Sequence, residues 1–347
     1  MPPSGPGSRP PTIADVARVA GVSRTTVSHS LNGIGKVDPR TREHVRRVAA
    51  ELGYRPNLRA QRLRRGEARA IALASSMPFA VAGGPSRLGF YMEVAAAAAE
   101  SALLHEYALV LVPPVQSRAA LYSVDIDGAI VVEPDVDDAA AAQLRERGLP
   151  YVALGRPVSP DEDVPYVDLR ADLVVEALLA HLREQGARRP ALIVGTGARH
   201  SSVDARAAFE RLAKEHGWEP VVATAPEAGG EQAGYDCCTA LLAAHPDVDA
   251  VCALVDAFAV GAVRAIRDGG RTVPDDVMVV TRYDGLRART CEPPLTAVDL
   301  HLDRAAAAAV DLLLARLRGE ACAPVATVPA PAVIPRTSSL RRRTTDA

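Results

Sequence analysis

Between Thr12 and Asn32 the chain concentrates side chains suited to gripping a nucleic acid rather than to covalent catalysis. Ser23, Thr26 and Ser28 offer hydroxyls of the kind that bind phosphate oxygens, Thr25 adds a further hydroxyl, and Arg24 and His29 can donate to guanine acceptors. Such groups work only if a rigid element presents them together. Thr12 can cap a first helix, with Asp15 completing a capping-box-like pair. Ile13, Val16, Ala17 and Ala20 give that helix one apolar face. Gly21 permits a tight turn, and Ser23 can cap a second helix that sends Val27 and Leu31 inward and Arg24, Thr25, Ser28 and His29 outward. Two short helices across a glycine-bearing turn form the pattern of a helix-turn-helix. Asp38 and Pro39 open a third helix that ends at Gly53.

Charge points the same way. Residues 1–66 hold 13 basic and 4 acidic residues, a balance of +9, whereas the other 281 hold 27 and 38, a balance of −11. A basic head on an acidic body fits phosphate binding through counterion release. A solvated three-helix bundle with surface arginines is the plainer alternative, but motif and charge coincide here.

Pro56 to Arg65 follows the head. Pro56, Asn57, Leu58, Ala60, Gln61 and Leu63 have the spacing of one short helix, too short to be stable alone in water. A charged linker is the alternative.

From residue 69 onward the pattern alternates short apolar runs with helical stretches. Strands are expected near 70–75, 108–112, 129–132, 151–154, 191–194, 221–224, 250–255 and 277–281, with helices near 88–105, 139–147, 171–185, 204–216 and 258–267. This alternation implies parallel sheets covered on both faces, in two α/β (Rossmann-like) units. The chain is 48% hydrophobic but only 4% aromatic, so Ala, Val and Leu must build the core. Residues 1–11 read as a disordered lead-in. No signal peptide and no apolar run of about 18 residues is evident, so a cytoplasmic protein without a membrane contact is expected. The five cysteines show no metal spacing, and neither a metal nor a cofactor is expected.

The phrases TIADVARVAGVSRTTVSHSLN, VDPRTREHV and ELGYRPNLRAQRL resemble the DNA-binding head of the LacI/GalR family of bacterial transcription regulators. Weaker likeness continues through GRPV at Gly155, VPYVD at Val164, DARAAFERLAKEHG at Asp204 and PPLTAVD at Pro293. The resemblance implies that Arg24, Thr25 and His29 read major-groove base edges. Ser23, Thr26, Ser28, Asn32, Thr41 and Tyr54 would mostly hold the phosphate backbone, and Thr12 would also contact DNA. Residues 56–66, with Asn57 and Gln61, would be a hinge helix that orders in pairs on DNA. Leu63 would wedge into the minor groove, with Arg64 beside phosphates.

The resemblance also implies a periplasmic-binding-protein-like core of two subdomains, about 69–168 plus 299–323 and 169–298 plus 324–337. The chain would cross between them near Asp168, Asp299 and Pro324, ahead of a basic tail, 338–347. Arg206, Asp256 and Asp284 match effector-contacting positions, and Phe79, Phe90 and Tyr91 could line the cleft. The alternatives are a surface Arg206 paired with Glu210 four residues on, and Asp256 and Asp284 as helix or loop caps. The chain departs from the family pattern at Val255, where Asn is common, and at Arg282, where a small residue is usual.

Enzyme readings find little. Gly195-Thr196-Gly197 follows a strand but lacks the rest of a dinucleotide fingerprint, and no set of nucleophile, base and oxyanion donors is present. The expectation is a non-enzymatic, multidomain regulator. It would bind a palindromic double-stranded operator as a homodimer and repress in response to a small-molecule effector such as a sugar or sugar derivative. The alternative is a DNA-binding regulator without an effector, whose core serves only dimerisation.

Overall fold

The computed structural model describes residues 9, 11–55, 67–78, 89–112, 121–157 and 163–341. The chain divides into two compact units, Met1–Ala68 and Arg69–Ala347. Asn57, Gln61, Leu63, Arg64 and Phe79 lie outside the described residues.

The head contains α1 (Ile13–Ala20), α2 (Arg24–Asn32) and α3 (Pro39–Glu51). At the start of α1 the Thr12 backbone N–H and hydroxyl both donate to Asp15 Oδ2, at 2.9 and 2.7 Å. These bonds hold the Asp15 carboxyl below its ordinary range. Gly21 closes α1 with a φ of 66°, a left-handed conformation that glycine adopts without strain. Ser23 accepts from Thr26 N at 3.0 Å and Asp38 from Arg40 N at 2.9 Å, so each following helix starts at a polar cap. Val16, Ala17, Ala20, Val27, Val45, Val48 and Ala49 form the small core.

The second unit has twelve described strands. These are β1 (Ala70–Ala74), β2 (Ala108–Leu111), β3 (Gly128–Val132), β4 (Tyr151–Leu154), β5 (Tyr166–Asp168), β6 (Pro190–Gly195), β7 (Val221–Ala225), β8 (Ala250–Ala253), β9 (Met278–Thr281), β10 (Ala297–Asp299), β11 (Val325–Thr327) and β12 (Ala332–Ile334). One sheet runs β11-β5-β4-β3-β1-β2 and the other β7-β6-β8-β9, both parallel throughout. Strands β10 and β12 form a short antiparallel pair.

In the first sheet α4 (Phe90–Leu104) packs on α11 (Leu302–Leu317), which lies over β3, β4 and β5. In the second, Leu192, Val194, Cys252 and Val280 share a core with α6 (Ala171–Glu184) and α7 (His200–Glu215). Their alternate neighbours Ala191, Ile193, Val251, Ala253 and Val279 pack with α8 (Gly230–Ala244) and α9 (Asp256–Asp268). This period of two, apolar on both faces, is what a doubly covered parallel sheet requires. The remaining helices are α5 (Ala139–Glu146) and α10 (Leu286–Thr290).

The chain leaves the first sheet after Asp168 and returns after Asp299. Strand β11 pairs with β5 in the first sheet and β12 with β10, so the last crossing falls between Thr327 and Ala332.

A buried polar clasp fastens the closing segment to the second sheet. Ser338 N donates to Pro294 O at 3.0 Å, its carbonyl accepts from Val279 N at 2.9 Å, and its hydroxyl accepts from Thr296 N at 2.8 Å. Ser339 Oγ lies 2.6 Å from Thr296 Oγ1 and 2.7 Å from His181 Nε2 on α6. Burial pushes the His181 imidazole below its ordinary range, with Glu184 opposing. The folded protein thus binds this proton less readily than the unfolded chain. Stability should therefore hold above about pH 6.5 and decline as the pH falls below it. His181→Gln is expected to flatten that decline in urea-unfolding midpoints measured from pH 7.5 to 5.5. An unchanged slope would assign it to other groups.

Candidate functional site

The head presents one polar surface. Arg24, Thr25 and Asn32 are exposed, and Thr26, Ser28 and His29 are half-buried, all on α2 with Val27 turned into the core. Ser23 Oγ lies 2.9 Å from Thr26 Oγ1, and Asn32 Nδ2 donates to Ser28 Oγ at 3.3 Å. Thr41 lies in the first turn of α3, where its N–H donates to Asp38 Oδ1 at 3.3 Å. Tyr54 packs against the helical core from beyond α3. Thr12, at the start of α1, is half-buried. Among the described residues, α2 and the start of α3 are thus fixed by caps and packing within the head.

In the core, the carboxyl ends of the two sheets face a cavity of about 70 Å³ lined by Met77, Phe90, Glu133, Arg199, Ser201, Ser202, Glu227, Leu254, Val255, Asp256, Arg282 and Tyr283. Ligand sites of open α/β sheets form at these strand ends. Glu133 follows β3 and is 3% exposed, while Arg199 and Glu227 are 5% and 8% exposed. Arg199 Nη1 pairs with Glu227, its Nε donates to Glu133 O at 3.2 Å, and its Nη2 lies 3.8 Å from Asp135. Arg282 Nη2 donates to Glu133 Oε1 at 2.6 Å, and Ser201 Oγ donates to Oε2 of the same carboxylate. Phe90 and Tyr283 meet edge-on with ring centroids 5.6 Å apart.

Gly195-Thr196-Gly197 acquires a role here. A Cβ at Gly195 would collide with the Glu227 carboxylate, and one at Gly197 would lie 2.7 Å from Arg199 Nη1. The two glycines make room for the buried ion pair.

Of the residues expected in the cleft, Asp256 lines the cavity. Burial pushes its carboxyl above the ordinary range, opposed by Arg287, whose Nη1 lies 3.4 Å from Oδ1. Asp284 lies outside the lining, paired with Arg336 at 2.6 Å and Arg289 at 3.0 Å. Burial would raise its carboxyl, but the two guanidinium groups hold it below the ordinary range. Arg206 lies on the outer face of α7, paired with Glu210 at 2.9 Å, while Ala205 beside it is buried. Tyr91 is a core residue whose hydroxyl sits 2.7 Å from Leu73 O and 2.6 Å from Val112 O, and the cavity wall is its neighbour Phe90. Glu133, Arg199, Glu227 and Ser201 were not picked out from the sequence.

Among the described residues no cluster of three His, Cys, Asp or Glu could hold a metal, and no helix is long and apolar enough to cross a membrane. The five cysteines are free thiols.

A helix-turn-helix head followed by a two-sheet α/β core with an interlobe cavity defines a DNA-binding transcriptional regulator. Residues 12–57 match the family described as bacterial regulatory proteins, lacI family, and residues 179–339 match a periplasmic binding protein-like domain. The regulator CelR of Thermobifida fusca is 34% identical over 92% of this chain and 96% of its own. AglR of Rhizobium meliloti is 31% identical over 80% and 79%. Among solved structures, a CelR-cellobiose complex superimposes with a TM-score of 0.70 at 30% identity, covering 94% of this chain and 99% of that one. The lac repressor dimer bound to operator and the anti-inducer ONPF does so with a TM-score of 0.76 at 25% identity, covering 96% and 100%. The chain belongs to the LacI family of bacterial transcriptional regulators, whose members here are regulators rather than enzymes.

Proposed function

We propose that this regulator is a cytoplasmic homodimeric repressor of a palindromic operator, answering to a small polyhydroxylated effector such as a sugar. In this reading Arg24, Thr25 and His29 meet base edges. Thr12, Ser23, Thr26, Ser28, Asn32, Thr41 and Tyr54 steady the phosphates, and Asn57, Gln61, Leu63 and Arg64 act from the hinge segment. One head buries too little surface for high specificity, and two-fold symmetry accounts for a palindrome.

The observation that carries the effector reading is the composition of the cavity. Two arginines and three carboxylates surround an aromatic pair where the strands of both sheets end. Carboxylates accept from hydroxyls and guanidinium groups donate to them, the pairing a polyol requires. Asp256 takes part directly, with Glu133, Glu227, Arg199 and Arg282. Arg206, Asp284 and Tyr91 stand outside the lining. Since CelR was solved with cellobiose, that disaccharide heads the trial panel. An effector should raise the melting temperature and change affinity for an operator selected from genomic DNA, because allostery requires different affinities for two states. A panel of mono- and disaccharides that leaves both unchanged would remove the sugar reading. Failure to select any operator would remove the repressor reading.

A further inference from the structure

The cleft is already occupied by the chain's own charges. Arg282, at the end of β9, is 14% exposed in its side chain, crosses to Glu133 Oε1 at 2.6 Å, and lies 5.8 Å above the Phe90 ring. Glu133, at the end of β3, also takes the Ser201 hydroxyl. Two further contacts span the same gap at its flanks, Arg156 with Asp204 and Tyr283 with Glu93. Glu133, Asp135, Glu93 and Arg156 come from the first-sheet side. Arg282, Arg199, Ser201, Tyr283 and Asp204 come from the second. The space left, about 70 Å³, holds a few waters. Pockets that enclose a small ligand run to roughly 300–1,000 Å³.

We propose that the Arg282–Glu133 pair is an internal plug, which binds the two lobes together in the ligand-free protein and sets the class of ligand that can replace it. The proposal rests on the effector reading of this cavity. A buried ion pair broken on one side leaves an uncompensated charge, so an entering molecule must satisfy both halves. It must accept from Arg282 and donate to Glu133. Adjacent hydroxyls on one ring do both. A carboxylate or phosphate ligand satisfies only Arg282. It leaves Glu133 without its cation and faces Glu227 and Asp256 as well, since three carboxylates line the cavity against two arginines. Arg282 Nε, buried without a hydrogen-bond partner among the described residues, supplies one more donor to a neutral ligand. The plug therefore selects neutral vicinal diols over acidic sugars.

The plug is tested on the full-length, ligand-free protein by hydrogen exchange. In Glu133→Gln and in Arg282→Gln, backbone amides at 133–135 and 199–204 should exchange at least tenfold faster, and the double variant should be no faster than either single. Protection in α8 and α9 should be unchanged, which separates lobe opening from unfolding. Arg282→Lys, which keeps a cation at the site, should restore part of the protection. Unchanged exchange in the single variants, or single effects that multiply in the double, would overturn the plug. The ligand class is tested by calorimetry with cellobiose, glucuronate and glucose 6-phosphate. Cellobiose should bind at least tenfold more tightly than either anion. Where cellobiose does not bind, the tightest neutral sugar of the panel takes its place in the comparison. The reverse order would overturn the selectivity, and binding by no member of the panel and neither anion would overturn the effector reading and the ligand class together. The exchange arm needs no ligand and stands apart from both.

Discussion

Replacing Glu227 with alanine is expected to destabilise the core by about 3–5 kcal/mol, the cost of stranding one charge of a buried pair. For a unit of this size that lowers the thermal midpoint by roughly 10 °C. Arg199 has a side chain only 6% exposed, and without Glu227 it keeps just Glu133 O at 3.2 Å and Asp135 at 3.8 Å. Neither replaces the carboxylate, and water reaches the guanidinium poorly. The effect should be strongly non-additive. Arg199→Met combined with Glu227→Leu removes both charges and fills the space, so its midpoint should recover most of the loss. Differential scanning of the three variants decides it. A Glu227→Ala midpoint within about 2 °C of the parent would mean that the pair contributes little.

The same cluster shows what the sequence could and could not disclose. The sheets were legible because their central strands are uninterrupted apolar runs such as Ala70–Ala74 and Gly128–Val132, all buried. The head was legible because its caps and left-handed glycines are local features, each satisfied within a few residues. The cavity depends instead on the first charged residue after a parallel strand. Glu133 follows β3, Arg282 follows β9, and Glu227 follows β7 after Pro226. The rule that ligands bind at strand carboxyl ends could have found all three.

Helical phase sorts neighbouring candidates. On a helix one position turns a side chain by about 100°, so Phe90 stands at the wall while Tyr91 turns into the core, and Arg206 lies on the outer face beside buried Ala205. Asp284 was beyond local reading, because its strongest partner, Arg336, arrives from the closing segment of the chain. Strand β11 is short and has no buried residue, so it carries little apolar signal.

In the head, Arg24→Ala is expected to weaken binding to the selected operator by about 10- to 100-fold, equivalent to roughly 1–3 kcal/mol, while binding to random duplex changes little. Arg24 opens α2 and is exposed, at the end of a second helix-turn-helix helix that characteristically meets base edges. Its direction is fixed from behind by the Ser23 cap, by the Gly21 turn and by Val27 in the core. The substitution therefore removes donors without moving the helix. Lys36, also exposed, provides the contrast. If it meets phosphate, Lys36→Ala should weaken operator and random duplex alike and reduce the salt slope by about 1. Fluorescence anisotropy against both duplexes across a salt series separates the two behaviours. An Arg24→Ala loss equal on both duplexes would place Arg24 on the phosphate backbone, and sequence reading would then fall to Thr25 and His29 further along α2.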